Sequence, residues 1–241
     1  MHNSKLPIRT WYLCILLMGM TKKAMSAHEM RRQLDMKRYK PVWEMMHKIR
    51  KAMGQRDSRY GLSDMVEFDE GYFSQTIPKG TQLKRGKGSQ RKKNVAVMAE
   101  SVRLEDIETG EKSSQCRFFK MKVLEGQDSG PVEDYVKQSL DDSTVVFSDK
   151  ATNYVDIADH VEAHMTVISD KNSTNDTLKW VHIAISNAKR TLLGIYHQIK
   201  GFNLQAYLDE FCYKLNRRYF GHNIFDRITL AIASSWCTQA D

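Results

Sequence analysis

The run Thr144–Ser148, TVVFS, constrains the fold more than any other stretch. It is short and continuously apolar, and a charged Asp149 follows at once. A strand of this kind suits burial on both faces, which needs a sheet covered by helices. The neighbouring segments agree. Met65–Phe73, MVEFDEGYF, alternates with period two and reads as a half-buried strand. Asn94–Glu100 and Cys116–Val123 read as further strands. Pro131 opens a helix that runs to about Leu140, with Val132, Tyr135, Val136 and Leu140 on its apolar face. A short helix near Tyr154–Ala158 and a strand near Ala163–Ile168 follow. Two helices close the reading, Asp176–Leu193 and Asn203–Tyr219. The second has Leu204, Tyr207, Leu208, Phe211 and Leu215 on one face. Strands first, then alternating helix and strand, predict an α/β domain with a mixed sheet over residues 61–241.

Residues 1–60 have a different character. Trp11–Met20 reads as a buried helix. Ser26 is a candidate N-cap for SAHEMRRQLDM, and Glu29 three residues on predicts a capping box. A turn at Met36–Arg38 precedes a third helix from Tyr39, where Pro41 is tolerated in the first turn. Val42, Met45, Met46 and Ile49 form its apolar stripe. Lys40, His47, Lys48, Arg50 and Lys51 are expected outside. Three short helices with a basic third helix suit a helix-turn-helix that contacts DNA, and a plain packing bundle is the other reading. Gly54–Ser63 reads as a linker.

The chain has 241 residues, enough for one or two domains with a buried core, and a net charge of +8. A basic balance favours a polyanionic partner, nucleic acid above all. Cys14, Cys116, Cys212 and Cys237 stand far apart with no CxxC pair, which argues against a zinc ribbon and a disulfide framework. A reducing, cytoplasmic setting is expected. Trp11–Met20 is too short to span a bilayer, and Lys22 and Lys23 follow it where a cleavage site would stand.

Candidate chemistry gathers at a few places. Thr76–Lys93 holds Lys79, Lys84, Arg85, Lys87, Arg91, Lys92 and Lys93 among Gly80, Gly86 and Gly88, with no acidic residue. Such a loop suits phosphates, and a solvated hairpin tip is compatible with that. Asp69 lies in the first strand of the sheet and Asp149 just past the buried one. On adjacent strands the two carboxylates would meet, and a divalent cation would relieve their repulsion. Oxygen ligands with room for water suit Mg²⁺ or Mn²⁺. A lone Asp at a strand end is otherwise a turn former. Trp180–Arg190, WVHIAISNAKR, then offers His182 and Lys189 on nearly one helix face, two turns apart, with Asn187 about 140° round. Ile185 points toward a core. Glu70 is expected on the sheet face opposite Asp69. His160 and His164 are further candidates for a metal.

With these residues in view, the chain resembles a bacterial insertion-sequence transposase of the DDE type. The resemblance rests on VEFDEGYF at 66–73, VVFSDKATNY at 145–154, WVHIAISNAKRTLLGIYH at 180–197 and LQAYLDEFCYKLNRR at 204–218. The leading segment, LPIRTWYLCILLM through KPVWEMMHKIRKAM, resembles the helix-turn-helix before such catalytic domains. The resemblance implies an RNase H-like fold and a triad of Asp69, Asp149 and a residue on the 180–197 helix. Much of the group has Glu there, with Lys or Arg seven residues later. Lys189 stands seven after His182, so His182 occupies the Glu position; Asn187 is the alternative. An imidazole can ligate a divalent ion but adds no negative charge.

The implied activity is binding to terminal inverted repeats, metal-dependent strand cleavage and joining of the 3′-hydroxyl to target DNA. Asp69, Asp149 and His182 would hold Mg²⁺ or Mn²⁺, and Lys189 would contact a phosphate near the cut. Lys40, Lys48, Arg50, Lys84, Arg85, Lys87, Arg91, Lys92 and Lys93 would hold DNA. The expected partner is double-stranded DNA, bound by a homo-oligomer on the bacterial nucleoid, with no membrane. Relatives commonly place a cysteine zinc ribbon before the helix-turn-helix, and this sequence starts after that point, as a shortened or decayed copy would. A non-catalytic DNA-binding copy and a structure-specific nuclease on the same fold are the alternative functions.

Overall fold

Alternation of side chains across a strand explains why the centre of this protein is β1, Met65–Ser74. Val66 and Phe68 are fully buried on one face, while Glu67, Asp69 and Gly71 occupy the other. A computed structural model describes residues 4–21, 23–77, 80, 91–105, 107, 110, 112–124, 129–149, 157–167, 177–196 and 199–237. The chain divides into two units. One comprises residues 60–190 and 198–205; the other comprises 1–59, 191–197 and 206–241.

In the first unit β2, Lys92–Glu105, and β3, Lys112–Val123, follow β1. Helix α4, Ser129–Ser139, leads to β4, Val145–Asp149, and β5, Ala163–Val167. Together the strands form one five-stranded sheet in the order β3-β2-β1-β4-β5. β1 is antiparallel to β2 and β2 to β3, whereas β4 is parallel to both β1 and β5. This mixed order, with helices on the sheet, is the RNase H-like arrangement. One face packs Val66, Phe68, Ala96, Met98 and Val146 against Val132, Tyr135, Val136 and Leu140 from the α4 region. That places the apolar side of α4 where its periodicity predicts. β2 and β3 run well past their apolar segments. Their polar ends, Arg103 to Glu105 with Lys112 to Ser114, stay paired beyond the core. Helix α5, Lys179–Ile195, gives this unit its residues up to Arg190.

The second unit is helical. It contains α1, Ile8–Met20; α2, Ala27–Gln33; and α3, Tyr39–Asp57. It also contains most of α6, Leu204–Asn216, and all of α7, Ile224–Cys237. The Ser26 hydroxyl accepts from the Glu29 N–H at 3.1 Å, as the capping pattern predicts. The Glu29 carboxylate does not complete the box; it bonds Arg32 and Gln33 one turn on. Trp11, Cys14, Ile15 and Met18 of α1 meet Met45, Met46, Ile49 and Met53 of α3 in one core. Tyr213, Ile224, Ile228, Ala231 and Ile232 belong to the same core. Helix α7 therefore groups with the leading helices, because Ile224, Ile228, Ala231 and Ile232 are buried there.

Three details of the sequence reading need correcting in this unit. The segment from Gly54 is not all linker, since α3 continues through it to Asp57. Arg50 is not an outward DNA contact. It is 1% exposed, and its Nε donates to Glu210 Oε2 at 2.7 Å. Its Nη2 donates to the Tyr196 hydroxyl at 3.0 Å, and the guanidinium lies 4.6 Å from the Tyr207 ring centre. A buried guanidinium is tolerated only with such partners. His47 is half-buried, its ring centre 4.0 Å from that of Trp43 in a tilted contact, and its Nε2 has no hydrogen-bond partner among the described residues. Burial, and secondarily the Arg50 charge, push its imidazole down to about 4.

Candidate active site

The strand register brings the two aspartates together. β1 and β4 run parallel with Phe68 beside Ser148, and Asp69 and Asp149 are the next residues of each strand. Asp149 is the last residue of β4 itself. Its Oδ1 is buried with no hydrogen-bond partner among the described residues. Asp69 Oδ1 accepts the Glu70 N–H at 2.7 Å. Burial raises the Asp69 carboxyl above its ordinary range, and the Asp149 charge raises it further, against the lowering effects of the Glu70 amide and His182.

Helix α5 supplies the third group. His182 Nε2 lies 3.2 Å from Asp69 Oδ2. The helix sits close because Gly71 has no side chain; a Cβ there would come within 3.3 Å of Ile185 Cγ2. Ile185 is buried, as its position on the helix predicts. Lys189, seven residues after His182, holds its ammonium 5.6 Å from the centre of the Phe73 ring. Asn187 is half-buried and Ser186 exposed.

The β1 neighbour Glu67 also belongs to this face. It is 6% exposed, and its Oε2 accepts from the backbone N–H groups of Trp180 at 2.7 Å and Val181 at 3.0 Å. Burial lifts its carboxyl to about 7, although the Val181 and Trp180 amides pull the other way. The sequence reading missed Glu67. A second acid two residues before Asp69, on the same strand face, is the signal that was available.

A carboxylate pair with one orphaned oxygen fits a divalent cation by donor chemistry. Among the described residues, however, no group of three His, Cys, Asp or Glu is arranged as a finished metal cage. The donors present are the two aspartates, with the His182 nitrogen beside one of them.

The other candidates lie elsewhere. Glu70 faces away from Asp69 and accepts from the Asn94 side-chain amide. His164 Nε2 is 2.7 Å from the Ser148 hydroxyl. It pairs with Val146, which puts it on the face opposite Asp149. His160 Nε2 is 2.9 Å from Glu133 Oε1 on α4. Neither touches the aspartates. Arg91 and Lys92 are exposed beside the end of β1, and Lys93 is half-buried opposite Phe73. Lys84, Arg85 and Lys87 lie outside the described residues. Lys40 and Lys48 on α3 are exposed, Lys40 within 3.8 Å of Glu44. No helix is long and apolar enough to cross a membrane among the described residues.

Among curated proteins, none matches this chain. Solved structures similar to it include a Mos1 mariner paired-end complex with Mn, at 13% identity and TM-score 0.35, covering 88% of this chain and 74% of that one. The Drosophila P element transposase strand transfer complex is similar at 11% identity and TM-score 0.32, covering 96% and 65%. Both likenesses are distant. The ISXO2-like transposase domain, by contrast, matches residues 61–216, which span β1, β4, α5 and all of α6. The chain belongs to the ISXO2-like transposase family.

Proposed function

We propose that this transposase binds the terminal inverted repeats of its element, cleaves DNA strands there and joins the freed 3′-hydroxyl to target DNA. One observation carries the reading: Asp69 and Asp149 directly follow the paired Phe68 and Ser148 on adjacent parallel strands, Asp149 has an orphaned oxygen, and His182 on α5 meets Asp69 at 3.2 Å. Asp69 and Asp149 would hold Mg²⁺ or Mn²⁺, with His182 as a nitrogen donor. An ion bound there supplies Lewis acidity and a reactive oxygen nucleophile at neutral pH.

The chain's own groups do the rest. Lys189 lies one helical face along from His182 and would hold a phosphate beside the scissile one. Phe73 supports its ammonium. Lys93, opposite Phe73, shares that face of the sheet, and Arg91 and Lys92 extend the basic edge. Lys84, Arg85 and Lys87 would lengthen the same backbone contact, while Lys40 and Lys48 of α3 would hold duplex DNA through a helix-turn-helix. These are charge contacts to phosphates, which position DNA without reading sequence. The protein would act as a homo-oligomer on the DNA.

The test is a cleavage and strand-transfer assay on element-end DNA with Mg²⁺ or Mn²⁺, beside a gel shift. Asp69→Ala should abolish cleavage and leave end binding nearly intact. Undiminished cleavage by the variant would remove Asp69 from the site. Cleavage without joining, by the wild type, would favour a nuclease. Binding with no cutting under any divalent metal would favour a DNA-binding protein without catalysis.

A further inference from the structure

Glu67, Asp69, Gly71 and Phe73 share one face of β1, and each meets α5 at a successive station. Glu67 bonds the Trp180 and Val181 amides, Asp69 meets His182, Gly71 faces Ile185, and Phe73 lies under Lys189. The strand and the helix thus run in the same direction, locked side chain by side chain.

The first station is chemically unusual. The opening turn of any helix leaves backbone N–H groups without partners, usually met by Ser, Thr, Asp or Asn just before it. Here the preceding residue is Leu178, 1% exposed and with no acceptor in its side chain. The two N–H groups are met instead by one carboxylate oxygen from a strand 113 residues away in sequence for Trp180 and 114 for Val181. A local cap would satisfy the helix equally well without burying a carboxylate. What only Glu67 can add is a fixed distance between the start of α5 and β1, two residues from Asp69.

We infer that Glu67 is a positioning residue: by tying the first turn of α5 to β1 it sets the place of His182 against Asp69. Its role in catalysis rests on the transposase mechanism proposed above. Its role in geometry does not. When ionised, Glu67 also suits the positive helix N-terminus.

Two variants separate reach from charge. Glu67→Gln keeps an acceptor oxygen at the same reach and removes the charge. Glu67→Asp keeps the charge and withdraws the acceptor by one methylene, a milder change than truncation, so folding is retained. Three readings are taken on the full chain. They are hydrogen exchange of the Trp180 and Val181 amides, the His182 ring nitrogen shifts without metal, and element-end cleavage beside end binding.

Glu67→Gln should keep amide protection, ring shifts and cleavage near wild type. Glu67→Asp should lose about tenfold in protection at both amides, the scale of a lost cap. Its His182 shifts should move toward those of Asp69→Ala, and its cleavage should fall about tenfold with end binding unchanged. Wild-type behaviour of Glu67→Asp in protection and ring shifts would overturn the inference. So would loss of cleavage in Glu67→Gln with the amides still protected, which would make the charge the active element. Should the wild type cleave nothing, the proposed mechanism fails, and amide exchange and ring shifts still decide what Glu67 does.

Discussion

His182 Nε2 stands 3.2 Å from Asp69 Oδ2, joining a helix to a strand whose next neighbour in the sheet ends in Asp149. This contact predicts that His182→Ala retains end binding and loses strand transfer by about a hundredfold or more, the range for an essential group placed on the reacting phosphate. His182→Glu should recover part of it, since a carboxylate restores an oxygen donor. Asn187→Ala should leave cleavage within a few-fold of wild type. A single-turnover cleavage assay on the three variants reads all of this. Full activity in His182→Ala would transfer the role to another residue.

Gly71 sets how near the helix comes. A Cβ at this position meets Phe73 Cε2 at 3.0 Å and Ile185 Cγ2 at 3.3 Å, so a larger side chain must push α5 away. Gly71→Val should destabilise the protein by about 1–3 kcal/mol, as overpacking does elsewhere. It should also lower cleavage more than end binding. Urea denaturation and the cleavage assay test the two parts. A variant as stable and as active as wild type would show that the close approach is dispensable.

Arg50 is predicted to act on stability. It is 1% exposed, paired with a Glu210 that is 1% exposed. Removing one partner of such a pair leaves a buried charge and costs about 3–5 kcal/mol. Arg50→Met should show a loss of that size in urea denaturation. The double variant with Glu210→Leu should lose less than either single variant. A double loss equal to the sum of the two single losses would contradict a coupled pair.

His47 predicts a pH dependence. Its imidazole is held down to about 4 in the folded protein, below the ordinary 6.5. The unfolded chain therefore takes up the proton first, and stability falls as pH drops from about 6.5 toward 4. Above that window the contribution is fully present. Trp43, Tyr207 and Arg50 face the ring, and none of them accepts its proton. His47→Phe should keep the ring contact with Trp43 and flatten the fall in melting temperature between pH 7 and pH 5. An unchanged slope would place the effect on other groups.

The basic surface predicts salt sensitivity. If about six phosphates are neutralised, log affinity should fall against log salt with a slope near −5. Lys48→Ala and Lys93→Ala should each reduce that slope by roughly one. Arg50→Met should leave it unchanged, because its guanidinium faces the protein interior. A flat salt response of the wild type would count against both lysines as phosphate contacts.

Much of this was legible in the sequence, for local reasons. Period-two alternation located β1, and the short apolar run before Asp149 located β4. Asp69 within one strand and Asp149 at the end of the other would meet if a sheet set these strands side by side, and β1 and β4 are neighbours. The 100° turn of a helix put His182 and Lys189 on one side, and both do face β1. What escaped the reading depends on partners distant in sequence. Arg50 looks like a solvated charge until Glu210, 160 residues on, folds against it. Glu67 looks like an ordinary strand acid until Trp180 and Val181 arrive. Helix α7 was recoverable, since Ile224, Ile228, Ala231 and Ile232 repeat at helical spacing and are buried.

The central claim is that Asp69 and Asp149 form a divalent-metal site. Titration of the full chain with Mn²⁺, followed by the electron paramagnetic resonance of the free ion, tests it most directly. The account predicts saturable uptake by the wild type that is abolished in Asp149→Asn, with the variant's thermal unfolding still cooperative. Equal uptake by wild type and Asp149→Asn would contradict it.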